Sequence, residues 1–211
     1  MKEDTRMATE LCQLGEKYSV DKTPLFGGHT YTPVYHALLS ERRNDVKLML
    51  EIGIGNTPLM KGLTNEAYRP GASLRMWRDY FPNAHIFGCD ILDTVLFSED
   101  RISTFKADQS NVKSLQSLMF YVLNIEPVVD IILDDGSHEV EHRVISFKEL
   151  WQHVKPGGLY IIEDVRLPFI ERIVQLPTET GFKDASIRKV HIGKGFWDNF
   201  VVFDKKPNEV A

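Results

Sequence analysis

From Val46 onward, short apolar runs of β type alternate with longer stretches of helical type. That alternation constrains the chain more than any other feature, because parallel strands need crossover connections and the crossover helices then cover the sheet. Five runs fit parallel strands: "VKLMLEIG" from Val46, "HIFGCDI" from His85, "ISTFKAD" from Ile102, "VVDIILDD" from Val128 and "LYIIEDV" from Leu159. Several are apolar on both faces, as strands buried between two helical layers must be. Helices are expected in "SLRMWRDYF" from Ser73, "NVKSLQSLMFYVL" from Asn111 and "VEHRVISFKELWQHV" from Val140, with "KPGG" from Lys155 stopping the last. In that last stretch Val144, Phe147, Leu150, Trp151 and Val154 form an apolar stripe. The tail differs, since "SIRKVHIG" and "NFVVFDKK" bracket "KGFWDN" and read as an antiparallel hairpin at the sheet edge.

The fold expected is therefore α/β: a doubly wound sheet of seven strands, mostly parallel, with an antiparallel C-terminal hairpin at one edge. All 211 residues are read as a single domain, in which residues 46–211 are the core and residues 1–45 a helical segment with helices near residues 5–17 and 34–43.

Two of the apolar runs end in paired acids. "IILDDGSHEVEH" runs from Ile131 to His142, and "LYIIEDV" ends in Glu163 and Asp164 before its final valine. Neighbouring parallel strands lie about 4.8 Å apart, so acids at adjacent C-terminal ends converge on one crevice. The interval from Asp135 to Glu163 holds one loop, one helix and one turn, which is a crossover to a neighbouring strand. Successive strand residues face opposite ways, so Asp134 and Asp135 cannot both serve an ion. Asp135, the more loop-like, is assigned to a metal together with Glu163 and Asp164, and Asp134 to the cofactor side.

Gathered carboxylates repel one another unless a cation sits between them. An all-oxygen donor set favours Mg²⁺, and Mn²⁺ or Ca²⁺ would satisfy the same donors. His138 follows at the start of the next helix, where bound cations would keep it neutral and able to accept a proton. His142, one helical turn later, is a candidate substrate contact.

"LEIGIGN" places Gly53 and Gly55 just past the first strand, where missing side chains allow a tight turn and close approach of a ligand. Asp90 closes the second strand, where a carboxylate can accept from ribose hydroxyls, and Asp108 closes the third. No glycine completes G-x-G-x-x-G, because the third site is Pro58 and Asn56 follows Gly55. Acidic Glu51 in this turn suits a cationic or neutral nucleoside better than a pyrophosphate. A dehydrogenase with a nicotinamide cofactor and a non-catalytic nucleoside-binding module remain alternatives at this point.

The 25 basic and 30 acidic residues leave a net charge of -5, which indicates no general attraction to nucleic acid or anionic membrane. Cys12 and Cys89 stand far apart and form neither a disulfide framework nor a zinc set, so a reducing cytoplasmic compartment is expected. No run approaches the length of a spanning helix, and the start is too polar for a signal peptide.

Taken together, "KYSVDKTPLFGGHTYTPVYHALL", "LEIGIGN", "ASLRMWRDYFP", "GCDI", "ILDDGSH" and "SFKELWQHVKPGGLYIIEDV" resemble the class I S-adenosylmethionine-dependent methyltransferases. Within that family they resemble the metal-dependent sugar O-methyltransferases of the mycinamicin and rhamnosyl-tetracenomycin type. The resemblance implies a Rossmann-like sheet that binds S-adenosyl-L-methionine through Glu51, Gly53 and Asp90, with Ser73 and Asp108 nearby. It also implies Mg²⁺ on Asp135, Glu163 and Asp164, and His138 as general base toward a sugar hydroxyl, a deoxyhexose such as rhamnose in a glycan or glycosylated natural product. The N-terminal segment, with His29, Tyr31 and Tyr35, would form a lid, His29 and Tyr31 touching the acceptor. Two positions depart from the pattern: Asn56 stands where many of these enzymes carry glycine, and His36 follows Tyr35 where an acid is common.

Overall fold

The computed structural model describes residues 9–26, 28–193 and 195–207. Among these, eight strands form one sheet: β1 (Leu48–Ile52), β2 (His85–Asp90), β3 (Ser98–Glu99), β4 (Ile102–Lys106), β5 (Val129–Asp134), β6 (Val154–Ile162), β7 (Ala185–Ile192) and β8 (Asn199–Lys205). Their order is β3-β4-β2-β1-β5-β6-β8-β7. The stretch from β4 to β6 is parallel throughout, while β8 runs antiparallel to β6 and β7 antiparallel to β8. All seven expected strands are present; the eighth, β3, has two residues paired antiparallel to β4, too few to leave an apolar signature.

Alternation along the strands sorts side chains into two cores. On one face Met49, Ile86, Ile131, Leu133 and Ile161 pack against α1 (Glu10–Tyr18), α2 (Tyr31–Leu39) and, past the short α3 (Thr57–Leu63), α4 (Ala72–Tyr80). On the other, Leu48, Leu50, Phe87, Ile132 and Ile162 meet α5 (Val112–Val122) and α6 (Val140–Leu150). Two more short helices, α7 (Ile170–Val174) and α8 (Leu176–Thr180), precede the hairpin. At seven, five and five residues, α3, α7 and α8 are too brief to carry a helical stripe, and the sequence does not announce them.

Three local expectations shift. Thr9 caps α1 by accepting from the Cys12 amide at 3.2 Å, so the helix begins at Glu10; residues 5–8 of the expected helix lie outside the described residues. α2 starts at Tyr31, earlier than expected, with Pro33 in its first turn, where a missing amide hydrogen costs nothing. α6 ends at Leu150 and gives way to a 3-10 turn, Trp151–His153; "KPGG" therefore does not stop the helix but lies inside β6, beside a register shift against β5. No helix among the described residues is long and apolar enough to cross a membrane.

α1 and α2 pack into the first core, where Leu11, Tyr31, Tyr35 and Leu39 are all buried. A polar clamp fixes α1 to α4. Lys17 Nζ at 2.8 Å and Tyr18 Oη at 2.6 Å donate to Asp79 Oδ2, and Arg78 Nε donates to Oδ1 at 3.0 Å. Burial opposes ionisation of Asp79, but these donors outweigh it and hold the carboxyl down at about 2. Because the folded value lies below the unfolded one, this stabilisation is present above about pH 4 and is lost as pH falls through about 2. Asp79→Asn should cost about 1 to 2 kcal/mol at pH 7 by denaturant unfolding, with the difference closing between about pH 4 and 2.

Candidate active site

Strand order turns back between β1 and β5: the chain proceeds from β1 outward to β2 and β4, then returns to lay β5 on the other side of β1. In such sheets the crevice at the carboxyl ends of these two strands is the natural ligand site. Backbone hydrogen bonds hold the strand ends level here. The Gly53 amide donates to Cys89 O at 2.8 Å, the Asp135 amide to Ile52 O at 3.0 Å, and the Glu163 amide to Asp134 O at 3.0 Å.

A cavity of about 410 Å³ opens at this point. Residues 52–56, 89–92, 107–110 and 135–138 line it from the strand ends; Ser73, His142 and Asp164 join them, and the N-terminal segment contributes residues 20–22 and His29. Gly53 has φ +95°, and a Cβ there would lie 2.1 Å from the Asp135 carbonyl oxygen. The glycine is what lets β1 and the Asp135 turn approach each other.

Most residues singled out from sequence meet in this cavity: Gly53, Gly55, Ser73, Asp90, Asp108, Asp135, His138, His142, Asp164 and His29. Asp90 is held at its wall, Oδ2 accepting from the Ile54 amide and Oδ1 from the Leu92 amide, both at 2.9 Å. Asp108 accepts from the Ser110 hydroxyl at 2.6 Å and amide at 2.8 Å, and these bonds keep its carboxyl below the usual range.

Four assigned residues do not line the cavity. Asp134 lies in β5 with its side chain on the α6 face, where Gln109 Nε2 donates to its two oxygens at 2.6 and 2.7 Å and Ser146 Oγ donates at 2.6 Å. These bonds tie it to the loop that carries Gln109. Glu51 belongs to β1 itself and not to the turn; it is fully buried, its oxygens lack hydrogen-bond partners, and Lys22 Nζ stands 3.8 Å away. Burial pushes its carboxyl up to about 7.

The other two are Tyr31 and Glu163. Tyr31 is fully buried and donates to Asp164 Oδ1 at 2.8 Å, so it orients an acid. One turn along α2, Tyr35 donates to Glu163 Oε1 at 2.5 Å while Lys22 Nζ donates to Oε2. Both Glu163 oxygens are therefore occupied. Burial pushes this carboxyl well up, Asp135 and Asp164 add to the rise, and Lys22 opposes it.

The ligand atoms that do converge are those of Asp135, His138 and Asp164, all within 4.8 Å of one another. Two carboxylates and an imidazole at this spacing fit a divalent cation. His138 and Asp164 both adopt left-handed backbone conformations, φ +60° and +50°, which non-glycine residues hold only where surroundings over-determine them. Arg143, buried on α6, supplies that constraint by donating to the carbonyls of Glu163 and, at 3.1 Å, Asp164. Its Nη2 also lies 3.4 Å from His138 Nδ1, the long limit of a hydrogen bond, and His138 Nε2 is 3.8 Å from Asp164 Oδ2. On the opposite side of Asp164, His29 Nε2 is 3.6 Å from Oδ1.

The architecture is shared with solved methyltransferases. The MycE methyltransferase of the mycinamycin biosynthetic pathway, solved with Mg, SAH and mycinamycin VI, superposes with a TM-score of 0.72 at 28% identity over 97% of this chain and 57% of that one. This chain belongs to the class I methyltransferases. No protein-family model matches it. Among curated relatives, the mycinamicin VI 2''-O-methyltransferase of Micromonospora griseorubida is 39% identical over 157 residues, 74% of this chain and 36% of that protein. The 8-demethyl-8-alpha-L-rhamnosyl tetracenomycin-C 2'-O-methyltransferase of Streptomyces olivaceus is 34% identical over 166 residues, 79% of this chain and 40% of that protein. The chain thus spans about two fifths of the length of these methyltransferases.

Sequence reasoning missed Lys22, Gln109 and Arg143 around this crevice. Each is a polar side chain buried in the fold, and none occupies a strand end or a recognisable spacing. Gly53→Ala should lower stability by at least about 2 kcal/mol in urea unfolding, since the added carbon meets backbone rather than a movable side chain.

Proposed function

We propose that this domain transfers a methyl group from S-adenosyl-L-methionine to a sugar hydroxyl with the help of a divalent cation, Mg²⁺ by preference. The observation that carries the reading is the convergence of Asp135, His138 and Asp164 at the edge of a cavity walled by Asp90 and the glycine turn. The cavity also carries Asp21 and Asp108, against Lys22 as its one lysine or arginine among the lining residues. An acid-rich wall favours a cationic sulfonium over the pyrophosphate of a nicotinamide cofactor. The names of the sequence relatives, which act on sugars of glycosylated natural products, support a deoxyhexose such as rhamnose as the acceptor. Two buried free thiols suit a reducing, cytoplasmic setting.

In this reading the glycine turn and Asp90 hold the nucleoside, and Asp135 and Asp164 hold the cation. When bound, the cation supplies positive charge that favours ionisation of the acceptor hydroxyl. His138 receives the hydroxyl proton as the oxygen attacks the methyl carbon in line and the sulfonium leaves as a neutral thioether. Asp164, 3.8 Å from the ring, then stabilises the imidazolium. Arg143 and Tyr31 keep Asp164 in place throughout.

His138→Ala should lower turnover on rhamnosides by roughly 10² to 10⁴ while leaving S-adenosylhomocysteine affinity unchanged by calorimetry. Unchanged turnover would remove the histidine from the mechanism. Excess EDTA should abolish methyl transfer from labelled cofactor, with Mg²⁺ restoring it; full activity in the chelator would reduce the carboxylates to structural groups.

A further inference from the structure

Lys22 is the one buried cation that touches the acids of this site directly, among the described residues. Its side chain is only 4% exposed, and its Nζ contacts Glu163 Oε2, lies 2.5 Å from Asp135 Oδ2 and stands 3.8 Å from Glu51 Oε1. The three carboxylates come from the ends of three adjacent strands, and the lysine comes from the link between α1 and α2 on the other side of the crevice. It therefore sits where a cation is needed to offset their mutual repulsion.

Asp135 is also one of the three groups whose ligand atoms converge for a divalent ion. Glu163, adjacent to Asp164, could contribute its Oε2 to such an ion only if the ammonium withdrew, because Tyr35 already occupies Oε1. We propose that the Lys22 ammonium and a divalent cation compete for the carboxylates of Asp135 and Glu163, so that the domain carries an internal, exchangeable counter-ion.

The Lys22 backbone is held independently of its ammonium. The Lys22 carbonyl accepts from the amides of Tyr31 and Thr32, each at 3.1 Å, which ties the backbone to the start of α2 independently of where Nζ lies. Lys22 is one of the residues that line the cavity. An ammonium has a single charge and no fixed coordination geometry, whereas a divalent ion concentrates twice the charge on the same oxygens. The lysine would hold the acids together when no ion is present and yield when one enters. As a positioning residue it would keep the strand ends from splaying before the site is loaded.

The inference rests on reading Asp135 and Asp164 as ion ligands beside His138, and its test needs no turnover. Mn²⁺ alone would be titrated, with free ion read by electron paramagnetic resonance, into the protein and its Lys22→Met and Lys22→Arg variants. Lys22→Met should bind Mn²⁺ roughly tenfold more tightly, and Lys22→Arg should stay within about threefold of the unmodified protein. Equal or weaker binding by Lys22→Met overturns the competition while leaving the ion site standing; no binding by any of the three overturns both. Should Lys22→Met fail to fold, the ¹⁵N resonance of the Lys22 ammonium in the unmodified protein gives a second readout. It should shift or exchange-broaden on saturation with Mg²⁺, and an unmoved resonance under proven Mg²⁺ binding overturns the proposal.

Discussion

Carboxylates crowded at the carboxyl ends of adjacent parallel strands are the constraint on which the rest of this structure depends. The register locks Gly53, Asp135 and Glu163 level with one another, and alternation turns Glu51, Asp135 and Glu163 toward the same helical layer. Such a cluster stands only if donors and cations meet it. The layer opposite provides them: Lys22 from the link between α1 and α2, and Tyr31 and Tyr35 from successive turns of α2.

This explains why the first two helices are built into the core. Tyr35 stacks on Phe200 at a centroid distance of 4.9 Å and meets Trp77 edge-on at 5.7 Å, so its hydroxyl is delivered to Glu163 from a rigid aromatic base. Tyr31 packs edge-on against Phe200 at 5.1 Å and delivers its hydroxyl to Asp164. Apolar packing fixes the rings, and the rings fix the acids. Burial lifts both phenols above their ordinary range, which keeps them protonated and therefore donors. On the far face, Arg143 and the Gln109–Asp134–Ser146 network hold the two loops that carry His138 and Asp164.

The parallel sheet, its edge hairpin and the acidic strand ends were legible because they are periodic or positional. Strand runs such as the one ending at Asp135 are apolar on both faces, and a change from apolar to acidic at a strand's end is visible in one dimension. β3 and the helices α3, α7 and α8 were not legible, since each is too short for its period to repeat often enough to be read. The direction of individual side chains was only half legible. Alternation separated Asp134 from Asp135 correctly, yet it could not say that Asp134 would be consumed by Gln109 and Ser146.

By itself, then, the sequence determined the layered α/β plan and gathered Gly53, Asp90, Asp135, His138 and Asp164 at one end of the sheet, because hydrophobic period and strand polarity are local properties of the chain. Only the tertiary structure decided how those acids share their partners. Lys22 lies far along the chain from Asp135 and Glu163, and Tyr35 equally far from the acid it holds, so no spacing rule connects them. Which carboxylates open onto the cavity and which face an ammonium depends on how α2 packs over the sheet, and that is settled by burial of aromatic surface rather than by any motif.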